Sequence, residues 1–288
     1  MSWAKYKRLS SSKDLSIFRR GTTASDGGGG GGNDPNAQAY IDALDAAGYT
    51  VSSAEETAIN TFVLDLKADG IWTKSKAIYP FIGGTAATHK FNLKDPRDLD
   101  AAFRLTFFGG WTHSATGALG NGTNSYANTH LNPNSELTPN DNHISYYANI
   151  GYNGAATKTD IGANIGSFFG NFLDLTNTTT SVQQFRSTPE NTTLGGIGDG
   201  HILGSITSNN SRVMYENGTA QGSNANAANQ LMPNQEIYLG AMNYDGSPFF
   251  YSDKSFALSS IGDGLSASEV SDFYTAVQAF QTALNREV

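Results

Sequence analysis

The chain has 288 residues, of which 38% are hydrophobic, 11% aromatic and 15% charged, so it has enough apolar content for one large core and too much for a disordered chain. It contains no cysteine, which excludes a disulfide framework and a thiolate metal site. The formal net charge is −8; residues 1–20 carry six basic side chains and one acidic one, so the remainder carries −13 and disfavours contact with nucleic-acid phosphates.

The first twenty residues form a basic arm that also contains aromatic side chains. No apolar run of seven residues occurs there, and no segment of the chain has eighteen consecutive apolar residues, so we expect neither a secretory signal nor a membrane span. Aromatic side chains beside positive charge suit either nucleic acid or an acidic protein partner. Because the arm ends in a glycine-rich tether, we favour docking to a protein partner; a solvated tail is the alternative. The predicted partner-binding residues are Trp3, Lys5, Tyr6, Lys7, Arg8, Arg19 and Arg20.

Residues 21–34 form a predicted tether, because six consecutive glycines stand at 27–32. Polyglycine has no side chains to bury and the largest backbone entropy to lose, so it cannot join a packed core. About fourteen coil residues have a mean end-to-end distance of about 20 Å. The tether therefore separates the arm from a folded body.

A helical hairpin is predicted over residues 35–70. Asp34 and Pro35 make an N-cap with proline at the first helical position, and an apolar stripe then runs to Gly48. For the second helix, Ser53 and Glu56 have the spacing of a capping box, and apolar residues recur at helical spacing as far as Gly70.

From residue 71 the helical period gives way to the two-residue period of β-strands. In HISYYANIGYN (143–153) apolar Ile144, Tyr146, Ala148, Ile150 and Tyr152 alternate with Ser145, Tyr147 and Asn149, which predicts a half-buried strand. GHILGSITSNN, SRVMYENGTAQG, EIYLGAMNYDG and FFYSDKSFALSS follow the same rule and end in turn residues. A capping box at Ser266 and Glu269 then opens a C-terminal helix.

The order of elements from Ser211 onward resembles the end of laminin-G-like, concanavalin A-like jelly rolls. Val213-Met-Tyr-Glu-Asn-Gly218 matches the strand that ends in an Asn-Gly turn, Tyr238-Leu-Gly240 matches the following strand, and FALSSIGDGLSASEVSDFY (256–274) matches the strand that leads into the last helix. This resemblance implies a mainly β fold: a concanavalin A-like β-sandwich jelly roll over residues 71–288, with an N-terminal helical hairpin and a C-terminal helix.

Residues 77–133 are similar to a segment of proteins encoded among the structural genes of tailed bacteriophages. What this resemblance implies is a virion component, assembled in the bacterial cytoplasm, with no defined reaction. The basic arm would then anchor the chain to other virion proteins, and a homotrimer is common in such roles.

Catalytic and metal-binding patterns are weak. The glutamates between residues 71 and 260 are Glu136, Glu190, Glu216 and Glu236, and none has a second carboxylate two residues away, as a glycosidase pair on one strand would need. KDPRDLD (94–100) gathers three aspartates around Arg97, which suits Arg-Asp pairing better than a calcium site. The five histidines lack the spacing of a zinc site or a triad. We therefore expect no enzyme activity and no cofactor, with calcium as a weak alternative.

Carbohydrate binding is the remaining candidate, because sugar sites combine aromatic faces with polar side chains on loops. Two segments have this composition, 109–130 with His130 at its end, and 243–246. The candidate ligand-binding residues are Trp111, His113, Asn121, Tyr126, Asn128, Tyr244 and Asp245.

The sequence thus predicts a non-enzymatic bacteriophage virion protein, a fibre, decoration or adhesion component that displays a lectin-like domain, with host-surface glycan as a candidate ligand. A soluble carbohydrate-binding module and a polysaccharide depolymerase are the alternatives.

Overall fold

The computed structural model describes residues 32–150, 156–166, 171–177, 182–187, 190–195, 199–225 and 232–288. The predicted arm at residues 1–20, with all seven of its predicted partner-binding residues, and residues 21–31 of the predicted tether lie outside these ranges.

The helices of the described residues stand at the two ends of that part of the chain and in short turns between strands. They are α1 (Pro35–Ala46), α2 (Ser53–Ala68), α3 (Ile71–Lys74), α4 (Ala86–His89), α5 (Pro133–Glu136) and α6 (Ala267–Ala283), with a 3-10 turn at Asp100–Ala102. None of these helices has the length and apolarity needed to cross a membrane. The predicted helical hairpin and C-terminal helix are confirmed.

Two β-sheets make up the rest of the described fold. Sheet 1 has the spatial order β13 (Thr219–Asn224), β12 (Ser211–Glu216), β11 (Gly200–Ser208), β6 (Asn142–Ile150), β17 (Ser255–Gly262), β4 (Gly117–Leu119) and β3 (Thr112–Ser114), with β1 (Ser75–Tyr79) also paired to β17. Sheet 2 has the order β10 (Glu190–Gly195), β9 (Val182–Ser187), β8 (Asn171–Asn177), β7 (Lys158–Ile165), β14 (Tyr238–Leu239), β5 (Tyr126–Asn128) and β2 (Thr106–Phe108). β15 (Met242–Tyr244) runs parallel to β7 and pairs with β16 (Ser247–Phe249).

The sheets enclose an inner core. Ile144, Tyr146 and Phe256 from sheet 1 belong to one buried cluster with Ile161 and Leu239 from sheet 2. A mainly β, sandwich-like fold, as the sequence predicts, is therefore confirmed.

A second core lies on the other side of sheet 1, beneath the helices. Tyr147 and Leu258 on the outer side of that sheet share a buried cluster with Phe62 of α2 and with Phe273 and Phe280 of α6. The rings of Phe62 and Phe280 stack with centroids 4.6 Å apart. Helices α2 and α6 therefore cover the outer face of sheet 1.

Strand β6 differs from its prediction because sheet 1 lies between these two cores. The alternation of its residues is as predicted, but Ser145 and Tyr147, expected on a solvated side, are both 0% exposed. Tyr147 accepts a hydrogen bond from the Val288 amide at 2.8 Å, which supplies its hydroxyl with a partner under the helix layer. The strand is buried on both faces, not half-buried; Tyr152, at the end of the predicted strand, lies outside the described residues.

The capping box of α2 is one residue earlier than predicted. The pair is Ser52 and Glu55: the Ser52 hydroxyl accepts from the Glu55 amide, and the Glu55 carboxylate accepts from the Ser52 amide. Two overlapping Ser-x-x-Glu pairs occur here, and Tyr49 favours the first by donating its hydroxyl to Glu55 Oε1 at 2.6 Å. The predicted box at Ser266 and Glu269 of α6 is confirmed.

Arg286 joins the end of the chain to the sandwich. Only 4% exposed, it donates to the carbonyl oxygens of Phe81 at 3.0 Å, Pro80 at 2.6 Å and Ala257 at 3.0 Å. Burial lowers the pKa of its guanidinium to about 10. These bonds satisfy backbone oxygens that burial would otherwise leave without water.

Candidate functional site

The outer face of sheet 2 carries side chains that the fold leaves at its surface. Ala127 of β5 and Leu239 of β14 belong to the inner core. Because side chains alternate along a strand, Tyr126, Asn128 and Tyr238 project to the opposite, outer side. Adjacent strands align these residues, since Tyr126 pairs with Phe108 and Asn128 pairs with Tyr238.

Three aromatic rings on this face stack one against the next, and we name them the aromatic row. Phe108 stacks on Tyr126 with centroids 4.8 Å apart and planes 12° apart, and Tyr126 lies 4.7 Å from Tyr238. Phe108 is 43% exposed, whereas Tyr238 is 8% exposed. Burial, with the nearby Tyr251, raises the pKa of the Tyr126 hydroxyl. Each ring covers a face of its neighbour, so the row is a stack that is open at its exposed Phe108 end.

Polar side chains border the aromatic row at the ends of the same strands, and we name Thr106, Asn128, His130 and Glu236 the polar rim. Thr106 Oγ1 lies 2.8 Å from His130 Nε2, and the Asn128 amide donates to a Glu236 carboxylate oxygen. Asn128 Oδ1 accepts from the His130 backbone amide at 2.9 Å, which fixes the turn in which His130 takes a φ of 55°. Glu236 remains 42% exposed. The rim thus presents acceptors and an amide next to an aromatic surface.

Carboxylates from two separate segments flank His130. Asp100 Oδ1 lies 3.4 Å from His130 Nε2, and Glu236 Oε1 lies 3.8 Å from His130 Nδ1. The sequence gives no spacing signal for this arrangement, because the two residues are 136 positions apart in the chain and meet only through the sheet.

The aspartates of KDPRDLD pair with basic side chains. Asp95 bonds Arg97, Asp98 bonds Lys90 at 2.6 Å and Arg104 at 2.7 Å, and Arg104 Nε donates to Asp100 at 2.8 Å. The hydrogen bond from Lys90 lowers the pKa of Asp98. Among the described residues, no group of three His, Asp or Glu side chains has the arrangement of a metal site. The calcium alternative stays a prediction.

Trp111 lies at the border of the inner core and is not part of the aromatic row. It is half-buried and packs against that core, and its Nε1 donates to the Tyr126 carbonyl at 3.1 Å. Gly240, with a φ of 78°, lets the indole approach the backbone, since a Cβ there would lie 2.7 Å from the ring. The structure thus gives Trp111 a packing role; its predicted ligand contact stays a prediction.

His113 pairs with a second histidine. Its Nδ1 lies 2.9 Å from Nδ1 of His89, while His89 Nε2 accepts from the Gly84 amide at 3.0 Å. Because Nε2 of His89 is an acceptor, its Nδ1 carries the proton and donates to His113. Burial first, then His113, lowers the pKa of His89 to about 3, so His89 is neutral at physiological pH. Burial also lowers the pKa of His113.

The other predicted ligand residues separate into two turns. Asn121 caps its own loop, since Oδ1 accepts from the amides of Thr123 and Asn124, both at 3.0 Å. Tyr244 and Asp245 lie at the β15–β16 hairpin, where Asp245 Oδ1 accepts from the Gly166 amide at 3.0 Å. Of the predicted residues, the structure therefore brings Tyr126 and Asn128 together, with His130, and adds Phe108, Tyr238 and Glu236. Phe108 follows from the period of β2, because Phe107 packs on the inner core.

A cleft of about 770 Å³ lies elsewhere in the fold, lined by the turn between β11 and β12, the loop before β6 and the start of α6. Its residues are Lys74, Thr138, Asn140, Asp141, Thr207, Ser208, Asn209, Asn210, Gly264 and Ser266. Within the part of the chain that the structure describes, no aromatic side chain lines this cleft, so these residues provide no stacking surface for a sugar.

No family model matches the chain, and no curated protein matches its sequence. Among solved structures, it is similar to domain 4 of AbnA, a GH43 extracellular arabinanase of Geobacillus stearothermophilus, over 69% of this chain and 98% of that domain, at 18% identity and a TM-score of 0.43. It is also similar to a mutant of Trypanosoma rangeli sialidase, over 78% of this chain but only 39% of the sialidase, at 11% identity and a TM-score of 0.49. The CBM40 of Ruminococcus gnavus IT-sialidase matches 49% of this chain and 90% of its own length, at 13% identity and a TM-score of 0.38. Similarity at these levels identifies neither a family nor a ligand for this chain.

Proposed function

We propose that the protein is a non-enzymatic structural component of a tailed-bacteriophage particle whose β-sandwich binds a host-surface glycan through the aromatic row. The observation that carries the glycan part is the row itself, with Phe108 43% exposed on the sheet face that α2 and α6 do not cover. The virion part is supported by the resemblance at residues 77–133.

The chemistry of the face suits a sugar. The C–H face of a pyranose packs on an aromatic ring, while its hydroxyls need hydrogen-bonding partners at the edge of the ring. Phe108 supplies the open aromatic ring, with Tyr126 stacked behind it, and Asn128 and Glu236 supply an amide and a carboxylate on the same sheet face. The rings stack on one another, so their rotamers are already restricted and little side-chain entropy is lost on binding.

Replacing Phe108 with alanine tests the glycan site. We expect Phe108→Ala to weaken binding of the full chain to host-envelope glycans about tenfold, because one aromatic contact contributes about 1 to 1.5 kcal/mol. Isothermal titration calorimetry with oligosaccharides released from the host envelope measures the change. Leu64→Ala is the matched control, since Leu64 is 48% exposed on α2.

Two outcomes contradict this site. Equal affinity of Phe108→Ala and the unchanged chain removes the row from the site. Loss of binding in Phe249→Ala instead places the ligand at the β15–β16 hairpin, because Phe249 is 47% exposed there and packs on Tyr244.

The virion part has its own test. We expect deletion of residues 1–32 to abolish incorporation into purified particles and to leave glycan affinity unchanged, because the arm is the proposed anchor to other virion proteins and the tether decouples it from the sandwich. Incorporation of the shortened chain at the normal level would contradict the anchor. A homotrimeric state of the particle-bound protein is part of the same proposal.

A depolymerase is the second candidate, and the observation that favours it is the position of Asp100 and Glu236 on either side of His130. An enzyme would release reducing ends from host polysaccharide and lose this activity in Glu236→Gln. The proposed non-enzymatic function predicts that the full chain releases no reducing ends.

A further inference from the structure

Two basic side chains connected to the polar rim through Asp100 and Asp98, Arg104 and Lys90, are paired with carboxylates. Arg104 donates Nη1 to Asp98 at 2.7 Å and Nε to Asp100 at 2.8 Å, and Lys90 lies 2.6 Å from the same Asp98. Hydrogen bonds from these partners raise the pKa of Arg104 and lower the pKa of Asp98. Neither cation is available to a ligand without losing a carboxylate partner.

Glu236 differs from these two cations, because no side chain of opposite permanent charge pairs with it in the described ranges. Its carboxylate contacts the Asn128 amide, which is neutral, and lies 3.8 Å from His130. Throughout the described ranges, no lysine or arginine forms an ion pair with it, and 42% of the side chain is exposed. The rim therefore places beside Tyr238 a carboxylate that no described lysine or arginine pairs with. Burial, Tyr126 and Glu236 raise the pKa of the Tyr238 hydroxyl.

We infer that this site selects neutral glycans and rejects sugars that carry carboxylate, sulfate or phosphate groups; this inference rests on the proposed function. Sugar hydroxyls can donate to the two Glu236 oxygens, and a bond to an ionised acceptor is stronger than one between neutral groups. An anionic sugar on the same rings places a like charge near Glu236, and neither Arg104 nor Lys90 is free to offset it. The residues after position 20, which sum to −13, add a weaker long-range repulsion of the same sign.

The test uses matched oligosaccharide pairs on the full-length chain. One member of each pair is a glucose oligomer, and the other carries glucuronate at a single position. We expect the neutral member to bind at least tenfold more tightly at low salt. The ratio should shrink as ionic strength rises, because exposed charges are screened beyond about 8 Å at physiological salt.

Glu236→Gln separates the local carboxylate from the overall charge. Glutamine has the same shape and can still accept from Asn128, so we expect normal folding and a preference for the neutral member that falls severalfold. Asp65→Asn on α2 is the control, since it makes the same change in net charge on the helix-covered side and should leave the preference unchanged.

The outcomes distinguish this inference from the function on which it rests. Equal or tighter binding of the glucuronate member overturns the charge selectivity and leaves glycan binding standing. An equal loss of preference in Glu236→Gln and Asp65→Asn also overturns it, because the overall charge would then be responsible. Failure of every neutral and anionic oligosaccharide to bind contradicts the proposed function itself.

Discussion

The two sheets of the sandwich differ in what lies on their outer faces. On sheet 1, Tyr147 is 0% exposed beneath the helix layer, whereas on sheet 2, Phe108 is 43% exposed. Both positions are aromatic and both follow from strand alternation, so the sequence pattern alone treats them alike. The role of an aromatic residue on a strand therefore depends on which other parts of the chain cover it.

The largest expected effect is a loss of stability, and it should differ between one phenylalanine under the helix layer and one on the outer face of sheet 2. Phe62→Ala opens a cavity under the helix layer, where Phe62 is 1% exposed, so we expect a loss of about 3 to 5 kcal/mol in the free energy of unfolding. Phe108→Ala should cost less than about 1 kcal/mol, since its ring is partly in water already. Urea denaturation of both variants measures the contrast, and similar losses would show that the two faces are equally structural.

The next effect concerns the connection between the helix layer and the sandwich. Arg286→Met removes the donors to three buried carbonyl oxygens, so we expect a loss of about 3 kcal/mol. The control is Arg97→Met, because Arg97 is a 64% exposed partner of Asp95 and exposed ion pairs contribute about 0 to 1 kcal/mol. An Arg286→Met chain with an unchanged thermal midpoint would contradict this role.

The smallest effect at neutral pH involves His201, which lies on the covered side against Phe273. It is 1% exposed, and within the described part of the chain neither ring nitrogen has a hydrogen-bond partner. Burial first, then the nearby His143, lowers its pKa to about 3 from the usual 6.5. We expect His201→Leu to change stability by less than about 1 kcal/mol at pH 7.

Acidification enlarges that effect. Between pH 6.5 and about 3, the unfolded chain binds a proton at His201 that the folded chain does not. As the pH is lowered through this range, the free energy of unfolding therefore decreases by up to about 1.4 kcal/mol per pH unit because of this residue. In His201→Leu the fall should be shallower by that amount, as denaturation at several pH values would measure, and an unchanged slope would exclude His201 as a source of acid sensitivity.

Local signals in the sequence account for the elements of the fold. The box at Ser266 and Glu269 marks the start of α6, and alternation marks β6. The Asn217-Gly218 turn has the two positive φ angles, 49° and 74°, that this residue pair favours. Each of these features depends on residues within a few positions of one another.

Features that depend on distant residues are not visible in the sequence. The aromatic row needs β2, β5 and β14 to be neighbours, and Tyr238 meets Tyr126 only through that order. Lys254 lies between the sheets with 0% of its side chain exposed, and its Nζ lies 3.0 Å from Asp160 Oδ2. Lysine side chains are mostly exposed, so the sequence predicts a surface position for this residue. The packing of Trp111 against Gly240 also depends on residues far apart in the chain.

Hydrogen exchange measured by mass spectrometry on the full-length chain tests most directly the claim that the uncovered face of sheet 2 is the ligand-binding face. With neutral oligosaccharides released from the host envelope, we expect slower exchange in peptides that cover residues 106–108, 126–130 and 236–239, and no change over 53–68 and 267–283. Protection confined to the helices, or to the cleft beside Asn209 and Asn210, would contradict the claim.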